Sequence, residues 1–306
     1  MEVTFTRIFR VASGYLAVFR VKFLLSTALT ASAGALYAIY VSGSVDPNFS
    51  ALFAFLILGT ILAHIAMHAL DDYFDTAEDR NRALPREVLT SFGYNPVLEG
   101  KVSLKEALTV GLMAFIGALI IGVYLTLERG PLVLLFALIG ALVILGYHYL
   151  LTLVLGEAAL LAKDFLAFLG SYYVISQDIE LYAFLPALAL STAHIAYSVH
   201  KVPRAPYDRQ GGRKTLSALL GERFWICYLL MVFLLAVFLC LSVFLGHLPP
   251  LSLSALFPVV VVFISGFSLR ENNPIKPEKL KRLLAINHDA FLVYKAAIVV
   301  SLAVAL

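Results

Sequence analysis

Residues 51–79 read ALFAFLILGTILAHIAMHALDDYFDTAED, twenty positions without Asp, Glu, Lys or Arg that run straight into five acids within nine residues. About 20 apolar residues at 1.5 Å rise are what a helix needs to cross the hydrocarbon core of a bilayer. The stretches 131–153 and 224–246 have the same character. Across all 306 residues, 61 % are hydrophobic and 14 % charged, with a mean hydropathy of +0.89. A soluble domain carries about a quarter charged residues, so a soluble globular fold is excluded. A transmembrane barrel would show short alternating strands instead. The sequence therefore predicts an all-α, polytopic membrane protein.

Nine apolar segments can be drawn, at about 23–42, 50–70, 105–126, 131–150, 158–177, 181–199, 223–245, 251–268 and 288–306. The basic stretch 4–10 leads into the first of them without a clear cleavage site, which reads as an interfacial helix before an uncleaved span. Twenty Lys and Arg fall before span 1 or in the 2–3, 6–7 and 8–9 loops, whereas Arg129 alone lies on the other side. The positive-inside rule then places the N-terminus and these loops in the cytoplasm and the C-terminus outside. A net charge of +3 gives no reason to expect a nucleic-acid partner; membrane lipid surrounds the chain. Cys227 and Cys240, 13 residues apart in one apolar run, are too distant on a helix to bond each other and read as packing residues.

Ala63-His64-Ile65-Ala66 recurs as Ala193-His194-Ile195-Ala196, and Asp79-Arg80 has a counterpart in Asp208-Arg209 at nearly the same offset. This suggests one domain over 1–306 built from two four-helix units, about 23–150 and 158–268, with a ninth helix added. In the first loop, Asp72, Asp75 and Asp79 stand three and four residues apart and, if the helix continues through them, share one face, with Asp71 beside them and His68 one turn below. Like charges so placed repel. Hard oxygen ligands with open positions suit Mg²⁺, which commonly shares its coordination with substrate phosphate. The bland alternative is a solvated acidic helix end.

The second loop, 200–217, is cationic apart from Asp208: Lys201, Arg204, Arg209, Arg213 and Lys214. Fixed cations opposite a metal-bearing acidic face are what a diphosphate needs as it leaves. The alternative for each is topogenic charge at anionic lipid.

At this point the sequence resembles the UbiA superfamily of intramembrane prenyltransferases. Asp71-Asp72-Tyr73-Phe74-Asp75-x-x-x-Asp79 is similar to that family's NDxxDxxxD signature, with Asp71 in place of Asn. Asp208-x-x-x-Gly212-Arg213-Lys214-Thr215-Leu216 is similar to the end of its second motif. The resemblance implies nine helices around a central cavity, capped on the cytoplasmic side by the 2–3 and 6–7 loops. It implies Mg²⁺ as cofactor, a prenyl diphosphate donor (geranyl or longer) and an aromatic or lipid acceptor. Asp72, Asp75, Asp79 and Asp208 would be catalytic, with Asp71 joining them as metal ligands. Lys22, Lys201, Arg204, Arg213 and Lys214 would balance the remaining charge. Gly156-Glu157 and 170–174 are similar to the menaquinone branch, whose acceptor is 1,4-dihydroxy-2-naphthoate. Lys201 and Arg204 depart from the family, standing where its second motif carries acids.

Other polar residues in or near spans include His64, Lys163, Asp164, Lys295, His68, His194 and Tyr197, and intramembrane ionisable groups usually face the bundle interior. His194 and Tyr197, one turn from the second loop, are acceptor-site candidates. Competing readings are a catalytically weakened prenyl-diphosphate-binding homologue, suggested by Lys201 and Arg204, and a secondary transporter. Two units of the same orientation and charge at the surface instead of the midplane argue against the transporter.

Overall fold

The computed structural model describes residues 13–81, 95–152, 155–270 and 277–306. The expected interfacial stretch 4–10 and residues 82–94 of the first loop lie outside them. Among the described residues all regular structure is helical. The long helices are α1 (Val21–Ser42), α2 (Phe49–Asn81), α3 (Leu104–Arg129), α4 (Pro131–Thr152) and α5 (Gly156–Ser176). Next come α6 (Phe184–Thr192), a tighter 3₁₀ segment (Ala193–Arg204), and the short helices α7 (Ala205–Gln210) and α8 (Leu216–Leu220). Finally α9 (Phe224–Phe244), α10 (Leu256–Gly266) and α11 (Pro277–Ala305) complete the bundle.

Seven helices among the described residues are long and apolar enough to cross a membrane. The remaining two expected spans coincide with the apolar part of α4, Pro131–Tyr147, and with the shorter apolar stretch Leu181–Thr192. The expected span 181–199 is α-helical only to Thr192. Beyond it the chain tightens where His194 and Lys201 turn inward to buried carboxylates.

Side-chain size explains how these helices pack. On α3, Met113, Ile116, Ile120, Val123 and Leu127 are exposed, whereas Ala107, Gly111 and Ala114 are buried along its first half and Ile121 and Leu125 further on. Large apolar groups outward and small ones inward are what lipid-facing helices need, since close backbone approach drives their association. A Cβ at Gly111 would stand 2.9 Å from Leu70 of α2, and one at Gly117 would stand 3.0 Å from Leu62. Helix α1 runs through the middle, packed on α2, α5 and α11. It meets α5 so closely that a Cβ at Gly34 would run into the Phe168 carbonyl. Beside that contact the rings of Tyr37, Phe168 and Tyr172 form a buried cluster with 5.6 Å centroid spacings from Tyr37. At one end of the bundle Arg129 pairs with Asp46 at 2.6 Å and its carbonyl accepts from the Tyr173 hydroxyl at 3.1 Å.

Candidate functional site

The acidic motif stays helical: α2 continues unbroken from the apolar run through Asp71, Asp72, Asp75 and Asp79 to Asn81. The motif is not a solvated helix end, because Asp72 is 1 % exposed, Asp75 7 % and Asp71 9 %. Three carboxylates buried on one face require opposite charge close by, and two arginines supply it. Arg20 Nη2 donates to Asp72 Oδ1 at 2.8 Å. Arg213 Nη2 donates to Asp75 Oδ1 at 2.5 Å, and its Nη1 approaches Oδ2 at 3.4 Å, a fork-like pairing that a lysine cannot make. Burial by itself works against the charge on Arg20, but the carboxylates of Asp72 and Asp71 more than offset it and hold the guanidinium above its ordinary range. Arg204 lies within electrostatic reach of Asp72.

The motif's backbone is tied down as well. The Asp72 carbonyl accepts from Thr76 Oγ1 at 2.6 Å and from Asn95 Nδ2 at 3.1 Å. Asn95 Oδ1 in turn accepts from the Val97 amide at 3.0 Å, so the turn before α3 is pinned onto the acidic helix.

The second loop divides its charges. Lys201, buried, donates to Glu157 Oε1 at 3.1 Å, and the same carboxylate oxygen takes the Leu216 amide at 3.3 Å. Its ammonium is thus directed to α5, where a carboxylate awaits it. Asp208 accepts from Thr215 Oγ1 at 3.2 Å within its own loop. Arg213 is buried against α2, whereas Lys214 is exposed. His68 continues the acidic face downward and meets the His64 ring edge-on, 4.5 Å between centroids. His194 sits in the bundle interior, 3.1 Å from Asp164. The side chains of Lys22, Asp79 and Tyr197 lie outside the described ones. The sequence does not mark Arg20, Asn95 and Glu157 as site residues, because a charge or amide next to a span carries no local signal of its distant partner.

Four carboxylate oxygens are buried without a hydrogen-bond partner among the described residues: Asp71 Oδ1, Asp72 Oδ2 and Glu157 Oε2 at the mouth, and Asp164 Oδ1 deeper in the bundle. Buried carboxylate oxygens without a protein partner are rare in native proteins, and hard donors of this kind suit a cation or a water. Among the described residues no three His, Cys, Asp or Glu side chains converge closely enough to enclose a metal unaided. Below this mouth a cavity of about 210 Å³ runs between α2, α3, α4 and α5. Its walls are largely apolar, with residues such as Leu56, Phe115, Phe136 and Val174; Thr60 and Ser171 donate their hydroxyls to their own helices, and Thr27, His64 and Lys163 meet at one corner.

The profile of the UbiA prenyltransferase family matches residues 24–288. Among curated protein sequences none matches. Among solved structures, a digeranylgeranylglyceryl phosphate synthase shares 17 % identity, covering 95 % of this chain and 98 % of that one, at a TM-score of 0.59. A UbiA homolog from Archaeoglobus fulgidus bound to DMAPP and Mg²⁺ shares 16 % identity over 94 % of this chain and 99 % of that one, TM-score 0.57. The same homolog bound to GPP and Mg²⁺ aligns at 15 % identity over the same shares, TM-score 0.57. At these identities the likeness concerns the fold.

Proposed function

Because the chain belongs to the UbiA prenyltransferase family, we propose that it is a Mg²⁺-dependent intramembrane prenyltransferase. It would move an isoprenyl group from a prenyl diphosphate to a lipophilic or aromatic acceptor, releasing diphosphate. The observation that carries this reading is the buried mouth in which Asp71, Asp72 and Asp75 share space with Arg20 and Arg213. A metal diphosphate matches that arrangement in both signs of charge. The structures of the A. fulgidus homolog, bound to DMAPP or GPP with Mg²⁺, support it by analogy.

The residues fit the ion. Asp71 Oδ1 and Asp72 Oδ2 are hard donors without partners among the described residues, and Mg²⁺ is usually held by one or two carboxylates plus substrate phosphates, not by an all-protein cage. Asp71 and Asp72 would hold it through these oxygens, with Asp75, Asp79 and Asp208 proposed as further ligands alongside the substrate phosphates. When bound, it supplies positive charge that offsets the diphosphate as it leaves. Arg20 and Arg213, each now on a carboxylate, would grip phosphate oxygens, for which the planar guanidinium is suited. Lys22, Arg204 and Lys214 would complete the cationic rim. The apolar walls of the cavity would take the isoprenyl chain and keep water from the allylic cation formed as the carbon–oxygen bond breaks. The charge distribution supports a cytoplasmic mouth and N-terminus.

The test is binding of GPP to detergent-purified protein with and without Mg²⁺. Binding that needs Mg²⁺ and is lost in Asp75→Asn is expected; equal binding in EDTA would overturn the reading. A second reading is favoured by one contact: Lys201, at a position where the family carries an acid, is tied to Glu157, which suits a homologue that binds donor but turns over poorly. A panel of acceptors, starting with 1,4-dihydroxy-2-naphthoate and geranylgeranylglyceryl phosphate, separates the two by turnover.

A further inference from the structure

A second polar group lies in the bundle below the mouth. Asp164, fully buried, accepts from Lys295 Nζ at 2.5 Å and stands 3.1 Å from His194 Nδ1. Lys163 Nζ is 3.3 Å from its other oxygen. Two ammonium side chains thus face one carboxylate at membrane depth, where uncompensated charge is expensive and marks function by default. Lys295 is enclosed, fully buried, and also donates to Thr30 Oγ1 at 2.8 Å. Lys163 instead lines the cavity beside Thr27 and His64.

Thr27 organises that end. Its Oγ1 is 3.0 Å from Lys163 Nζ, 3.0 Å from His64 Nδ1 and 3.2 Å from the Phe23 carbonyl oxygen. A hydroxyl has one proton and two lone pairs. One assignment satisfies all three contacts: Thr27 donates to Phe23 and accepts from Lys163 and from His64 Nδ1–H. The tautomer follows from the network, and it leaves His64 Nε2 a bare acceptor. That nitrogen is buried and has no hydrogen-bond partner among the described residues, on a side chain 2 % exposed. Lys163 and His64, with its open imidazole nitrogen, therefore both line one corner of a largely apolar cavity.

We propose that this corner binds the hydroxyl of the prenyl acceptor. His64 Nε2 accepts the hydroxyl's hydrogen bond, and Lys163 faces the same oxygen or an anionic oxygen next to it. The chemistry fits an acidic phenol or enol, or a lipid alcohol bearing phosphate. The reaction served rests on the donor reading above, whereas the hydroxyl preference does not. The location is apt: Asp71 follows His64 by seven residues on α2, about 10 Å along the helix axis, with His68 between them. A hydroxyl held at His64 lies below a diphosphate held at the mouth, beside the carbon that leaves it.

The experiment titrates 1,4-dihydroxy-2-naphthoate and its di-O-methyl ether into the full-length protein in detergent, by calorimetry. An alkylglycerol phosphate and its O-methyl ether form a second arm, which distinguishes phenolic from lipid alcohols. Wild type is expected to prefer at least one free hydroxyl over its ether by about tenfold. H64F and K163M should each abolish that preference, and H64Q, whose amide oxygen accepts, should keep part of it. If H64F fails to fold, H64Q and K163M carry the comparison. No preference in wild type in either arm, or a preference that survives in every folded variant, would overturn the proposal. GPP binding with Mg²⁺ is measured in parallel. Its absence in wild type removes the donor reading while the hydroxyl preference still decides this one.

Discussion

Arg20 reaches Asp72 across 2.8 Å from a backbone in the left-handed region, φ 45° and ψ 53°, immediately before α1 begins. A side chain there costs about 1–2 kcal/mol relative to right-handed backbone. Strain of this kind persists only where surrounding contacts determine it, and it concentrates at ligand sites. The ion pair is such a contact: it joins the entrance of the first span to the acidic end of the second.

Replacing Arg20 separates strain from charge. Arg20→Gly relieves the backbone and Arg20→Met does not, so Arg20→Gly should be the more stable of the two by about 1 kcal/mol. Both should weaken GPP binding at least about tenfold. Thermal unfolding and a binding titration read the two effects, and equal stability of the variants would remove the strain argument.

Asp72→Asn and Asp75→Asn should each abolish Mg²⁺-dependent donor binding. Each also leaves an arginine facing a neutral amide, and breaking a buried pair costs about 3–5 kcal/mol, so stability is measured alongside. Chelation of Mg²⁺ from wild type should reproduce the binding defect without the stability loss. If chelation has no effect on binding, these carboxylates serve the arginines alone.

Glu157 and Lys201 form a pair that links α5 to the second loop. Glu157→Met or Lys201→Met alone should destabilise, since each strands the other charge. The double variant Glu157→Met, Lys201→Met should recover most of the loss, with a coupling of about 0.5–3 kcal/mol in a denaturation cycle. Additive losses would mean that the two side chains act independently.

At the far end, the Asn48 amide and then the Arg129 guanidinium hold Asp46 below the ordinary carboxylate value of 3.8. A depressed folded value contributes stability above the unfolded value, and that contribution is lost as pH falls through the folded one. Asp46→Asn should therefore leave the neutral and alkaline parts of the Tm-versus-pH curve unchanged in shape and flatten its acid limb. An unchanged acid limb would show that other carboxylates govern it.

Gly34→Val tests the close contact of α1 with α5. Its Cβ would meet the Phe168 carbonyl, a backbone atom that cannot rotate away. Overpacking of this kind costs about 1–3 kcal/mol, whereas Gly43→Val, with open space around its Cβ but a φ of +63°, should lose stability through backbone strain alone. Unfolding temperatures of the two variants and wild type decide whether the helix contact is tight.

Hydrophobic length and charge spacing are local properties, so the sequence by itself determined the helical membrane class and the acidic spacing of Asp71, Asp72 and Asp75, while the structure showed that α2 continues through them to Asn81. It also marked the loop whose Arg213 meets that face. Which side chains meet across the bundle was decided only by tertiary structure. The spans are apolar nearly all round, so no stripe in them states which face turns inward. The residues that close the site come from far apart: Arg20 and Asp72 are 52 positions distant, Lys201 and Glu157 are 44, and Lys295 and Asp164 are 131. Their pairing depends on how each helix is rotated against its neighbours, which small residues such as Gly34 and Gly111 set by allowing close approach. For that reason Lys201 reads in sequence as one more cation at a diphosphate, and folding turns it to Glu157.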